Sequence, residues 1–124
     1  MLGEGSVVAM IAVKDLDKAK EFYTDLLNLN QVYENAGGMT YECGGGNLFV
    51  YKSPMAGANK STCAWWGVED CDATVEELRR KGVKFEHFDI PGARYEGDIH
   101  VIGIMRTAWF KDPDGNILGV GLCS

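Results

Sequence analysis

No apolar run in the sequence approaches the roughly 18 residues a helix needs to cross a bilayer. Basic residues are scarce: 12 Lys and Arg against 18 Asp and Glu leave a formal net charge of −6. A phosphate backbone repels such a surface, which argues against nucleic-acid binding unless a local basic patch offsets it. The one basic cluster, Arg79-Arg80-Lys81, falls at the expected end of a helix, where it complements the helix dipole. The amino terminus, MLGEGSVVAMIAV, lacks the basic region and small-residue cleavage site of a secretory signal. The cysteines, Cys43, Cys63, Cys71 and Cys123, form no CxxC pair and match no zinc ribbon, so reduced thiols are expected. These absences point to a cytoplasmic chain with neither a membrane nor a nucleic acid as partner.

What is present is an ordinary globular balance, 46% hydrophobic and 24% charged, at a length suited to one domain. Residues 6–14, SVVAMIAVK, are apolar and β-branched enough for a buried strand. In DLDKAKEFYTDLLNL, Asp15 is a good N-cap, and Leu16, Ala19, Phe22, Tyr23, Leu26 and Leu27 follow at helical spacing. QVYENA, MTYECG and NLFVYKS read as three strands separated by Gly37-Gly38 and Gly44-Gly45-Gly46, glycines suited to tight hairpins.

After a Pro-, Gly-, Ala- and Ser-rich linker at 55–61 the pattern starts again. TCAWWGV is a strand, and EDCDATVEELRRKG is a helix capped near Asp70 and stopped by Gly82. VKFEHFD, RTAWFKD and NILGVGL are later strands. The halves align at an offset of 55, pairing Val13 with Val68, Asp15 with Asp70, Asp17 with Asp72 and Glu21 with Glu76. The expectation is an α+β fold of two βαβββ modules, 6–54 and 62–124, in one domain over 1–124. The second copy carries an extra stretch, IPGARYEGDIHVIGI, whose length marks it as a candidate lid or wall over a pocket; an added surface strand with turns is the alternative.

VKDLDKAKEFYTDLLNL, followed some 90 residues on by AWFKDPDGNILGV, resembles the vicinal-oxygen-chelate superfamily of glyoxalases, bleomycin-resistance proteins and extradiol dioxygenases. The resemblance covers essentially the whole chain and implies curved mixed sheets around a cup. Each motif also has a structural reading. In Asp112-Pro113-Asp114-Gly115-Asn116 the proline presets φ, the Asp and Asn side chains bond locally, and Gly115 takes the left-handed position.

Metal-dependent members line the cup with four ligands, and the resemblance places these at Val8, near Val50, at Cys63 and at Gly119. Valine and glycine side chains offer a cation no lone pair, and one cysteine does not make a site. No metal, cofactor or catalytic residue is therefore carried over. A rearranged metal site built from His87 and His100 with Glu86, Asp89, Glu96 or Asp98 is an alternative.

Strand periodicity places Val8, Met10 and Ala12 on the cup face of the first strand and Cys63 and Trp65 on that of the fifth. Leu48, Val50 and Lys52 are expected on that face of the fourth strand, and Trp109 is a further candidate. The expected ligand-binding set is thus Val8, Met10, Leu48, Val50, Cys63, Trp65, Trp109 and Gly119. Such an apolar, aromatic lining suits a flat hydrophobic or a cationic small molecule held by stacking. The resemblance adds a homodimer and a metal-free binding role. Two other functions stay open: a divalent-metal-dependent lyase, isomerase or dioxygenase with ligands from other positions, and a pocketless dimerising module.

Overall fold

In a computed structural model, residues 1–122 are described, and Cys123 therefore lies outside the described residues. The chain divides between Asn59 and Lys60 into two compact units, each with its own sheet and helix. No helix among the described residues is long and apolar enough to cross a membrane.

The first unit contains β1 (Val8–Val13), α1 (Leu16–Lys20), β2 (Asn30–Asn35), β3 (Gly38–Cys43) and β4 (Gly46–Lys52). The sheet order is β1-β4-β3-β2, with β1 parallel to β4 and the remaining pairs antiparallel. Asp15 starts α1 as expected, its Oδ1 accepting from the backbone N–H groups of Asp17 (2.9 Å) and Lys18 (3.2 Å). The helix continues as a π-helical stretch over Glu21–Leu26, where Leu27 N–H reaches back five residues to the Phe22 carbonyl. Tyr23 from this stretch is fully buried, as are Ala19, Ile11, Val13, Met39, Tyr41, Leu48 and Val50. These side chains form the first core.

The second unit repeats the plan with additions. β5 (Thr62–Gly67) leads into α2 (Cys71–Arg80), capped by Asp70, whose Oδ1 accepts from Ala73 N–H at 3.0 Å. β6 (Phe85–Glu86), β7 (Arg94–Glu96), β8 (Ile99–Ile102), β9 (Met105–Lys111) and β10 (Ile117–Leu122) follow. The sheet runs β5-β10-β9-β8-β7, with β6 also pairing along β9. The stretch read as a lid or surface strand is a hairpin, β7–β8, added at the sheet edge. Only two residues of VKFEHFD pair as a strand. Beneath α2, Cys71, Val75 and Leu78 are buried along with Ala108, Phe110, Leu118 and Val120 of the sheet. Both units are mixed α+β.

The β9–β10 connection turns on Asp112, which is almost fully buried. Its Oδ1 accepts from the backbone N–H groups of Asp114 and Asn116, both at 2.9 Å, and its Oδ2 from Asn116 Nδ2 at 2.8 Å. Gly115 sits at φ 86°, a conformation side chains disfavour. Replacing Asp112 by Ala strands three donors in a buried turn. The expected loss is about 3 kcal/mol of unfolding free energy, read from urea denaturation, with Asp112→Asn losing less.

Candidate functional site

Trp65, Trp109 and Gly119 of the expected set meet on the helix-free face of the second sheet. In the register, Trp65 lies beside Gly119, Gly119 beside Trp109, Gly121 beside Thr107, and Thr107 beside His100. All therefore project to one side, opposite Leu118, Val120, Ala108 and Phe110. A side chain at Gly119 or Gly121 has nowhere to go. A Cβ at Gly119 would stand 2.7 Å from Trp65 Cδ1 and 3.1 Å from Trp109 Cδ1, and one at Gly121 would stand 2.7 Å from Trp65 Cζ2. The Trp65 indole thus lies directly on bare backbone. Its Nε1 donates to Thr107 Oγ1 at 3.1 Å, and Trp109 Nε1 donates to Thr62 Oγ1, also at 3.1 Å. The Thr107 hydroxyl in turn donates a hydrogen bond to the Val120 carbonyl. Both indoles are fixed at their polar edges, and Trp65 remains 42% exposed.

Beyond Trp109 the face continues as an aromatic cluster around His100, which is 0% exposed. The rings of Trp109 and Tyr95 each meet it edge-on with centroids 4.8 Å away, and His87 stands at 5.8 Å and Phe88 at 6.4 Å. His100 Nε2 accepts the Phe88 N–H at 2.9 Å, which leaves the neutral ring's proton on Nδ1. That Nδ1 is buried with no hydrogen-bond partner among the described residues. Burial, then the neighbouring His87, holds the His100 pKa below the usual histidine range. Backbone groups of Asp98 and Thr107 favour the charged ring without reaching hydrogen-bonding geometry with Nδ1. His87 bonds Asp98 at 2.8 Å, and Asp98 is also held by Arg79 at 2.7 Å; these partners keep the Asp98 carboxyl below its ordinary range.

In the first unit, Val8 (40% exposed) and Met10 (54% exposed) occupy the open face of β1. Leu48 and Val50 do not share it. Val50 pairs with Ile11 and Leu48 with Ala9, one residue out of phase with Met10 and Val8, so both are buried on the helix side. Lys52, paired with Val13, also departs from the Val8 face. The β4 residues beside Val8, Met10 and Ala12 are Asn47, Phe49 and Tyr51, with Phe49 and Tyr51 stacked 6.1 Å apart. β4 is apolar in both phases, and a one-residue shift exchanges its faces.

Cys63 sits at an irregularity in the β5–β10 pairing, with Sγ 3.9 Å from Asn116 Oδ1. Burial raises its thiol pKa, the Ile117 backbone opposes this, and Asp112 adds to it, so the sulfur is a poor nucleophile at neutral pH. His100, Tyr95 and Thr107 share the open face of the second sheet and Phe49 that of the first, outside the set expected from the sequence. A lone histidine inside the β-branched run IHVI was the one available signal.

The four positions at which the resemblance puts metal ligands do not fit a divalent cation. Val8 and Val50 are hydrocarbon, Val50 is wholly in the core, and the space beyond Gly119 is filled by two indoles. Cys63 alone retains a donor, and burial favours its protonated form. Among the described residues no group of three or more His, Cys, Asp and Glu side chains is placed to hold a metal. A depression in the first unit, lined by Lys14, Asp15, Leu16, Asp17, Ala36 and Lys52, shares none of the expected binding residues.

Two outcomes follow from this geometry. Gly119→Ala drives a methyl group into Trp65 and should cost about 1–3 kcal/mol, with tryptophan emission shifting to the red as the indole is displaced. The lowered His100 pKa means the folded state favours the neutral ring. Its contribution to stability is full above the ordinary histidine pKa and is lost as pH falls through that value towards the lower folded one. Urea midpoints should therefore drop between pH 7.5 and 5.5, and the drop should shrink in His100→Gln.

Known proteins share this architecture. A lactoylglutathione lyase from Agrobacterium tumefaciens superposes with a TM-score of 0.72 at 16% identity, over 96% of this chain and 93% of that one. A genomically encoded fosfomycin resistance protein from Listeria monocytogenes gives 0.72 at 17%, over 98% and 94%. An antibiotic-binding protein from a Streptomyces species gives 0.69 at 23%, over 98% of each chain. At these identities the likeness shows the fold. No curated protein matches the sequence. The model of the Glyoxalase/Bleomycin resistance protein/Dioxygenase superfamily matches residues 5–120, and with the βαβββ-type sheets and the D-P-D-G-N hairpin in place, the chain belongs to that superfamily.

Proposed function

We propose that this protein binds a small, flat, hydrophobic or cationic molecule without a metal, by stacking on the open aromatic face of its second sheet. The observation that carries the reading is the Trp65 indole, laid on Gly119 and Gly121, pinned by Thr107 and still 42% exposed. A rigid ring presented this way gives contact area at little entropic cost. The net charge of −6 disfavours anions. Chain relatives supply a precedent, since one structural neighbour is an antibiotic-binding protein and another a fosfomycin resistance protein. The reading includes a cytoplasmic setting and a homodimer, whose mass by light scattering should be twice the 13.6 kDa of one chain.

Titration with a planar aromatic cation, acridine orange, and a planar hydrocarbon, fluorene, should quench tryptophan emission saturably. Trp65→Ala should weaken binding at least tenfold, while the anion anilinonaphthalene sulfonate binds poorly. Absence of saturable quenching by both acridine orange and fluorene would sink the reading.

A further inference from the structure

The aromatic face is almost without polar handles. Both indole N–H groups are consumed by threonine hydroxyls, and Thr107 donates to the Val120 carbonyl. One buried donor on this face lacks a partner among the described residues. His100 accepts the Phe88 N–H on Nε2, so its proton resides on Nδ1, and that atom is buried without a hydrogen-bond partner among the described residues. An unmade hydrogen bond in a buried site is costly, and such groups in native proteins call for a reason.

What covers His100 is a residue of the sheet's edge, although that edge is tied to the rest of the unit through Glu96, which pairs with Arg106 at 2.8 Å. The Tyr95 ring lies 4.8 Å from it and 5.0 Å from His87, and its hydroxyl donates to the Phe88 carbonyl. Tyr95 belongs to β7, a three-residue edge strand exposed along its length and paired only with β8. The turns at Gly92 and Gly97, both at positive φ, bound that strand. Against this, Trp109 and its hydrogen-bonded indole are built into the middle of the sheet. The movable partner of His100 is therefore Tyr95, and the fixed one is Trp109.

We propose that His100 is the polar anchor of the ligand site. A flat aromatic ligand carrying an in-plane hydrogen-bond acceptor, such as a ketone oxygen, displaces the Tyr95 ring, stacks against Trp109 and accepts the His100 Nδ1 proton. The inference rests on the stacking function proposed above and adds the ligand class and the specificity-determining residue. A neutral acceptor is favoured because the chain carries a net charge of −6, which disfavours anions.

Fluorene and 9-fluorenone test this, since they share a planar frame and differ by one carbonyl. The intact protein should bind 9-fluorenone at least tenfold more tightly than fluorene, by tryptophan quenching. In His100→Phe, which keeps an aromatic ring and deletes the donor, the two should bind equally. Tyr95→Ala, which leaves His100 in place, should preserve the preference and speed 9-fluorenone association several-fold; this variant carries the test if His100→Phe fails to fold. Equal affinity of the intact protein for both compounds overturns the anchor while leaving the stacking function standing. An unchanged association rate in Tyr95→Ala overturns the displacement of Tyr95. If neither compound nor acridine orange binds, the stacking function fails and the anchor fails with it.

Discussion

The packing of one indole on side-chain-free backbone is the constraint around which the second unit's open face is arranged. Trp65 can lie flat only because positions 119 and 121 are glycine; a Cβ at either approaches its ring to 2.7 Å. Lying flat, the indole reaches Thr107 with its N–H, and Thr107 is the cross-strand neighbour of His100. The glycines thus set the ring's height, the ring's height sets the hydrogen bond, and the hydrogen bond fixes the edge of the aromatic cluster. Any side chain at position 119, where the resemblance places a metal ligand, is incompatible with this arrangement before any question of coordination arises.

Much of this was legible in the chain itself. Asp15 and Asp70 recur at an offset of 55 and both cap helices through their carboxylates, because an acidic acceptor beside free N–H groups is a local device that needs no tertiary context. The D-P-D-G-N turn was legible for the same reason. Local chemistry did not decide the phase of β4. Leu48 and Val50 alternate with Phe49 and Tyr51, so either set could be buried on composition; the pairing of Val50 with Ile11 settles it. The π-helical widening at Glu21–Leu26 and the β7–β8 hairpin likewise depend on contacts distant in sequence. Of the expected lining, Trp65, Trp109 and Gly119 meet on one face of the second sheet, while Val8 and Met10 lie on the open face of the first.

Charge plays a smaller part than the acidic composition implies. The ion pairs Lys20–Glu34, Arg79–Glu76 and Arg80–Glu77 are exposed enough that each adds little to stability. Arg106 differs: largely covered, it joins Asp72 of α2 to Glu96 of β7, and these bonds hold the Glu96 carboxyl below its usual range. That bridge ties the edge strand to the helix from the far side of the sheet, while Tyr95 packs on His87 and His100 on the near side.

A scaffold that binds through a metal obtains selectivity from coordination geometry; one that binds by stacking does not. Aromatic faces accept many flat molecules at similar affinity, since every ring presents the same kind of surface. Discrimination then falls to whichever few polar groups meet the ligand, because a buried donor left unpaired penalises the wrong ligand more than apolar contact rewards the right one. Here the Trp65 and Trp109 N–H groups are already spent on threonines, and burial favours the neutral form of the His100 ring. Under the proposed stacking function the cluster around His100 is where selectivity would reside, and the glycine floor that leaves no room for a ligating side chain is the same feature that places the aromatic platform beside it.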